Sequence, residues 1–139
     1  MLKNKNFAVS KLLAGIALDA TSLSVLSADG IKFPASGTFR AVIWSQEYDS
    51  PIDDVTREII TMELDGGDIF TITRAQEGTE AKAWLANDNI AHVLTAGKID
   101  EIEAIKIGSD PPSGGYKITN FYLNSDKKLV VVYEDTPIE

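Results

Sequence analysis

The chain has 139 residues, 44% of them apolar and 24% charged, the balance of one core-bearing domain plus an appendage. Its formal net charge is −8 and its Lys and Arg residues are scattered, which argues against coating DNA or RNA, since phosphate binding needs a basic face. It has no cysteine, so disulfide staples, zinc thiolate sites and thiol nucleophiles are excluded, as suits a reducing compartment or a particle assembled in one.

Residues 1–8 read as a polar tail. Early lysines precede an apolar run at 12–18, but Gly15 interrupts that run, Asp19 follows it and no small-residue cleavage pattern appears, so no secretory leader is expected. No run approaches the ~20 apolar residues that would span a bilayer. From Asp19 the pattern sharpens. Leu23 and Val25 alternate with Ser22 and Ser24, the mark of a half-buried strand. Ala28-Asp29-Gly30 is a turn, and Pro34 and Gly37 bracket a second one.

Residues 38–44 (TFRAVIW) are rich in β-branched and aromatic side chains and predict a strand. Phe39, Ala41 and Ile43 share one face; Arg40, Val42 and Trp44 share the other. Apolar residues on both faces point to a central strand. A polar loop follows at 45–54. In 55–64, Ile60, Met62 and Leu64 alternate with Thr61 and Glu63, which favours strand over helix. Asp65-Gly66-Gly67-Asp68 predicts a hairpin turn, and 69–74 the returning strand with Phe70 and Ile72 inward. Gln76-Glu77-Gly78-Thr79 is a turn, 80–85 suggests one helical turn, Asn87-Asp88-Asn89 turns again, and 90–94 is the last strand. Short strands at close spacing with frequent turns suggest a small barrel or sandwich over 9–96.

Thr95 has the character of an N-cap for a short helix at 97–107, where Ile99, Ile102 and Ile105 recur at helical spacing. A Pro/Gly linker occupies 108–115. Residues 116–139 predict a hairpin around Asn124-Ser125-Asp126-Lys127. The fold class is therefore mainly β: a small β-barrel or sandwich, a short helix and a C-terminal β-hairpin. Both faces of that hairpin are apolar. Leu129, Val131 and Tyr133 point one way, Val130 and Val132 the other; Tyr116, Ile118 and Tyr122 oppose Phe121 and Leu123. An isolated hairpin is marginal in water and a bare apolar edge invites aggregation. The expected oligomer or partner interface is therefore Ile99, Ile102 and Ile105 on the helix, with Tyr116, Phe121, Tyr122, Leu129, Val131 and Tyr133 on the hairpin.

Chemistry is sparse. His92 is the one histidine, on the parity of Ile90 and Leu94, and reads as a strand residue at a core edge. No serine sits in a nucleophile elbow. Asp49, Asp53, Asp54 and Glu58 could offer oxygens to Ca²⁺, but they lack the spacing of a calcium loop and read as a solvated acidic loop. Asp65 and Asp68 are turn residues. Trp44, Trp84, Tyr48 and Tyr122 could stack on sugar; such residues are more often core or interface anchors. No phosphate loop or dinucleotide fingerprint occurs. No catalytic, cofactor or metal residue is expected, and the chain does not read as an enzyme.

In order, FPASG at 33–37, TRAQEGT at 73–79 and LTAGKIDEI at 94–102 give the chain a pattern that resembles a small β module of tailed-bacteriophage virion proteins. That module occurs at the start of tail fibres and in short-fibre or baseplate-associated proteins, and the likeness covers roughly residues 9–104. The ending, YLNSDKKLVVVYEDTPIE, resembles the terminal hairpin of short phage structural proteins. The resemblance implies a non-enzymatic structural role in a virion assembled in the host cytoplasm. It implies other virion proteins as partners and a homo-oligomer, with a trimer favoured, and neither nucleic acid nor membrane as a ligand. The chain has no shaft repeats or receptor-binding tip of a full fibre. Two rivals stand beside a tail adaptor: a capsid decoration or head-fibre protein, and a carbohydrate-binding module.

Overall fold

The computed structural model describes residues 3–104 and 116–137. It is mainly β, with two compact units that meet in sequence at Ile99 and Asp100. The first unit contains β1 (Val9–Lys11), β2 (Ser22–Ser24), β3 (Thr38–Trp44), β4 (Glu58–Gly66), β5 (Ile69–Gln76) and β6 (Asn89–His92). These form one antiparallel sheet in the order β1-β6-β3-β4-β5-β2. Just past β1 and β2, Leu12 and Val25 form a bridge, with Leu13 N–H to the Ser24 carbonyl at 2.9 Å and Leu26 N–H to Lys11 at 3.0 Å. The outermost strands thus bond to each other, and the curled sheet leaves little open edge.

The period-2 pattern explains the interior. Phe39, Ala41 and Ile43 of β3, Ile60 and Met62 of β4, Phe70 and Ile72 of β5, and Ile90 of β6 fill one core with Leu12, Val25, Phe33 and Trp84. Phe33 stacks on Phe39 at 5.9 Å between ring centroids, and Phe70 stands edge-on to both. Burying each ring stabilises by about 1.5–3 kcal/mol. The apolar residues on the other face of β3 are also explained: Val42 and Trp44 are buried with Ala91, and half-buried Val93 packs on them. β3 is the central strand its sequence predicts.

Several boundaries move. The strand expected at 55–64 runs Glu58–Gly66, and the turn shrinks to Gly67-Asp68. The strand expected at 90–94 ends at His92, so Leu94 leaves the core parity and is 65% exposed. The helical turn expected at 80–85 is absent. Trp84 lies in extended chain, exchanging backbone hydrogen bonds of 2.9 Å with Ile16 in both directions. Burying the indole against the core decides this against local helix propensity. The expected N-terminal tail is tied down where it is described: Lys3 N–H bonds the Thr38 carbonyl, and Ala8 is fully buried.

Helix α1 spans Ala96–Ala104, with Thr95 as its cap: the Lys98 N–H bonds Thr95 Oγ1 at 3.3 Å. The linker at 108–115 and the rest of the expected helix lie outside the described residues. In the second unit β7 (Tyr116–Leu123) pairs with β8 (Leu129–Pro137), Phe121 opposite Val131 and Leu123 opposite Leu129. Asn124 closes the turn by accepting the Asp126 and Lys128 N–H groups at 3.0 and 2.9 Å.

Candidate functional site

The polar residues that chemistry would use are committed to structure. Glu58 is the clearest case. Its side chain is fully buried and accepts four hydrogen bonds: Oε1 from Arg74 Nε (2.8 Å) and Ala75 N–H (2.9 Å), Oε2 from Arg74 Nη2 (2.7 Å) and Trp84 Nε1 (2.8 Å). Arg74 then donates onward to the Ala17 and Lys82 carbonyls. Ala75 takes φ 53°, a conformation uncommon for a residue with a Cβ, to present its N–H. Burial alone would raise the Glu58 carboxyl; the Arg74, Trp84 and Ala75 donors outweigh it and hold the carboxyl below its ordinary value. A carboxylate so saturated has no lone pair left for a metal or substrate.

Asp54 follows the same logic. It is buried and accepts from Ser45 N–H (2.8 Å), Thr56 N–H (2.8 Å) and the Thr56 hydroxyl (2.7 Å), which outweigh its burial and lower its pKa. The acidic stretch around 49–58 is therefore not a solvated loop throughout: Asp54 and Glu58 are interior staples, while Asp49 and Asp53 are exposed. Asp88 is buried as well, bonding Gln46 and Leu85 N–H. Among the described residues no group of three or more His, Cys, Asp or Glu side chains could hold a metal ion.

His92 is half-buried, edge-on to Phe39 at 5.4 Å, with Nδ1 2.6 Å from the Arg40 carbonyl. A carbonyl only accepts, so Nδ1 carries the proton. Trp44 and Trp84 are 6% and 2% exposed and offer no sugar-stacking platform. Trp44 Nε1 donates to the Tyr48 carbonyl, and Lys82 Nζ lies 4.1 Å from the Trp84 ring centroid. A cavity of ≈ 540 Å³ lies between 55–57 and 77–82; its walls mix charged and apolar groups.

The apolar surface is the remaining candidate. Ile99 and Ile102 of α1 are 44% and 50% exposed, and three-residue spacing sets them on one helix face. Tyr122 and Leu129 of the hairpin are 51% and 41% exposed. Ile105 lies outside the described residues. For Tyr116, Phe121, Val131 and Tyr133 the strand pairing is described and the side chains are not. The first unit adds surface residues that the pattern analysis passed over: Phe7, Ile31, Ile52, Val55 and Leu94 are all more than half exposed. They sit in turns and irregular segments; β4 begins at Glu58 and β6 ends at His92, which leaves out Val55 and Leu94 of the strands expected at 55–64 and 90–94.

The fold and these sites define a small β module whose buried polar groups hold its loops and whose surface carries apolar side chains. No known family model and no curated protein matches the sequence.

Proposed function

We propose that the protein is a structural component of a tailed-bacteriophage virion, a tail-fibre or baseplate adaptor or a short fibre, acting by protein–protein assembly rather than catalysis. The observation that carries this reading is the C-terminal hairpin. It has two long strands, an apolar sequence on both faces, and Tyr122 and Leu129 about half exposed. Two strands alone are marginally stable in water, so the apolar faces call for a neighbour. Symmetric closure with further copies buries them without leaving an edge, and the resemblance favours a trimer. The curled β module leading into a helix at Thr95 agrees with that resemblance.

The test is the native mass of the full chain, beside that of a Tyr122→Asp/Leu129→Asp variant and of Val131→Asp. Assembly of the wild type, weakened in the variants while the first unit keeps its melting transition, supports the reading. A strictly monomeric wild type sinks the hairpin as an assembly element. Copy number in purified particles then separates tail from capsid: small multiples of three or six fit a tail adaptor, dozens or hundreds a capsid decoration.

A further inference from the structure

Two surface features of the first unit complement each other but lie at opposite ends of the same strands. At one end, the loop after β3 displays Ile52 and Val55, 81% and 88% exposed, with Tyr48 at 39%. The loop is held rigidly for so exposed a segment. Asp54 ties its two arms together, Trp44 Nε1 bonds the Tyr48 carbonyl at 3.1 Å, Asp88 bonds Gln46 N–H at 3.0 Å, and Ser50 Oγ accepts Ile52 N–H at 3.2 Å. A segment fixed in advance loses little entropy when it docks. Of its exposed charges three are acidic, Glu47, Asp49 and Asp53, and one is basic, Arg57 at its end, whose Nη1 bonds the Asp54 carbonyl at 3.1 Å.

The other end has the reverse character. Phe7, 95% exposed, Val93 and Leu94 line a cavity of ≈ 340 Å³ whose other walls are polar: Asn4, Lys5, Asn6 and His92. Phe7 is held there at φ 59°, a conformation costly for an aromatic residue, and this places the bare ring at the cavity mouth. The charged side chain in its lining is Lys5, with Lys3 two residues before it in the chain. Lys5 Nζ bonds the Ile31 carbonyl and keeps further N–H donors for another acceptor, and the Lys3 side chain lies along Gly37.

Strand register separates the two. Trp44, which enters the loop, pairs with Asn89; three residues away Ala41 pairs with His92, which bonds the Ala8 carbonyl. Three residues of β3, about 10 Å, therefore stand between the start of the loop and His92, and no residue of 45–57 lines the cavity. We infer that the 45–57 loop of one copy seats in the Phe7–Leu94 cavity of a second copy. Ile52 packs against Phe7 and Leu94 in this mixed cavity, while Asp49 and Asp53 face Lys3 and Lys5. The contact is head-to-tail, so it builds a ring where the rotation closes and a filament where it does not. It is independent of the hairpin. A loop with three exposed carboxylates is also a poor fit to an anionic membrane or nucleic acid, whereas this chain itself carries an acceptor that sets Phe7 and Leu94 beside Lys5.

The test is zero-length carbodiimide crosslinking of a mixture of unlabelled and heavy-isotope full-length chain, read by peptide mass. The expected result is mixed-isotope peptides joining Lys3 or Lys5 to Asp49 or Asp53, diminishing as salt rises. Ile52→Asp and Phe7→Asp each abolish them; both positions are exposed, and Asp tolerates positive φ, so both variants fold. Mixing the two variants restores the crosslink, because one retains the cavity and the other the loop. Absence of such peptides up to millimolar protein overturns the inference, and so does their survival in both variants. Hairpin variants leave this crosslink unchanged, which keeps the two assembly contacts distinguishable.

Discussion

Glu77 Oε2 accepts the Gly97 N–H at 3.0 Å, joining the turn after β5 to the first turn of α1. The same carboxylate takes the Thr95 hydroxyl at 2.7 Å and Arg40 Nε at 3.0 Å. A Cβ on Gly97 would come 2.5 Å from Glu77 Oε1, so a larger residue here pushes the Glu77 carboxylate off its partners. Two stretches that stand out separately in the sequence, TRAQEGT and LTAGK, are thus one physical object: a remote carboxylate that satisfies an orphan N–H at a helix start.

Glu77→Ala is expected to destabilise by about 1.5–3 kcal/mol, the scale of lost charge-assisted hydrogen bonds in a partly buried setting. Gly97→Ala should also destabilise while Glu77 is present. In the Glu77→Ala background it should instead stabilise, because alanine is the better helix former by about 1 kcal/mol. Urea unfolding of the four proteins measures this coupling as a double-mutant cycle. Additive effects would show that the carboxylate does not govern the helix start.

Removing one partner of the Glu58–Arg74 pair should cost far more than breaking an exposed pair, because the Glu58 side chain is fully buried and that of Arg74 is only 10% exposed. Arg74→Met leaves a buried carboxylate with two of its four donors, and a broken buried pair costs about 3–5 kcal/mol. Trp84→Phe keeps most of the ring and removes one donor, for about 1–3 kcal/mol. The order Arg74→Met above Trp84→Phe, read from denaturant midpoints, checks the assignment. A small Arg74→Met effect would mean that the site admits water.

This pair also shows how far the sequence could be read. Glu58 shares the parity of Ile60 and Met62, and Arg74 that of Phe70 and Ile72. Opposite charges on the inward parity of neighbouring strands are a legible signal of an interior ion pair. The strands, the two-faced β3 and the Thr95 cap were legible from period and turn chemistry. Trp84 was not: residues 80–85 have helical propensity, and only the bridge to Ile16 and the bond to Glu58 make them extended. The surface set was legible only in part. Ile99 and Ile102 follow from helical spacing, whereas Ile52 and Phe7 depend on loop conformations set by remote partners.

Acid should loosen the fold through specific carboxyls. Asp54, Glu58 and Glu77 are all held below their ordinary values, 3.8 for Asp and 4.5 for Glu: burial opposes the shift, and their hydrogen-bond donors and nearby cations overcome it. A carboxyl depressed in the folded state stabilises fully above its unfolded pKa, and that stability is lost as pH falls through the folded value. The contribution of these groups should therefore be flat near neutrality and decline below about pH 4.5. Urea midpoints across pH 7 to 3 measure it. Glu77→Gln should flatten part of the decline, and an unchanged slope in that variant would remove Glu77 from the set.

The turn between β4 and β5 should be sensitive at a residue far from it in sequence. Asp68 Oδ1 accepts Gly30 N–H at 2.7 Å and Oδ2 accepts Ala28 N–H at 3.0 Å, so the β4–β5 turn cradles the short helical turn at Gly30–Lys32. A Cβ on Gly30 would fall 1.9 Å from the Gly67 carbonyl oxygen, a backbone atom that no rotamer change can move. Gly30→Ala must therefore separate the two segments, at a cost of about 3 kcal/mol on the scale of overpacking. Asp68→Asn keeps one acceptor and turns its NH₂ group toward the Ala28 N–H, costing about 1 kcal/mol. Thermal unfolding should place Gly30→Ala below Asp68→Asn. The reverse order would mean that the carboxylate, and not the close backbone approach, holds the β4–β5 turn to the 28–32 segment.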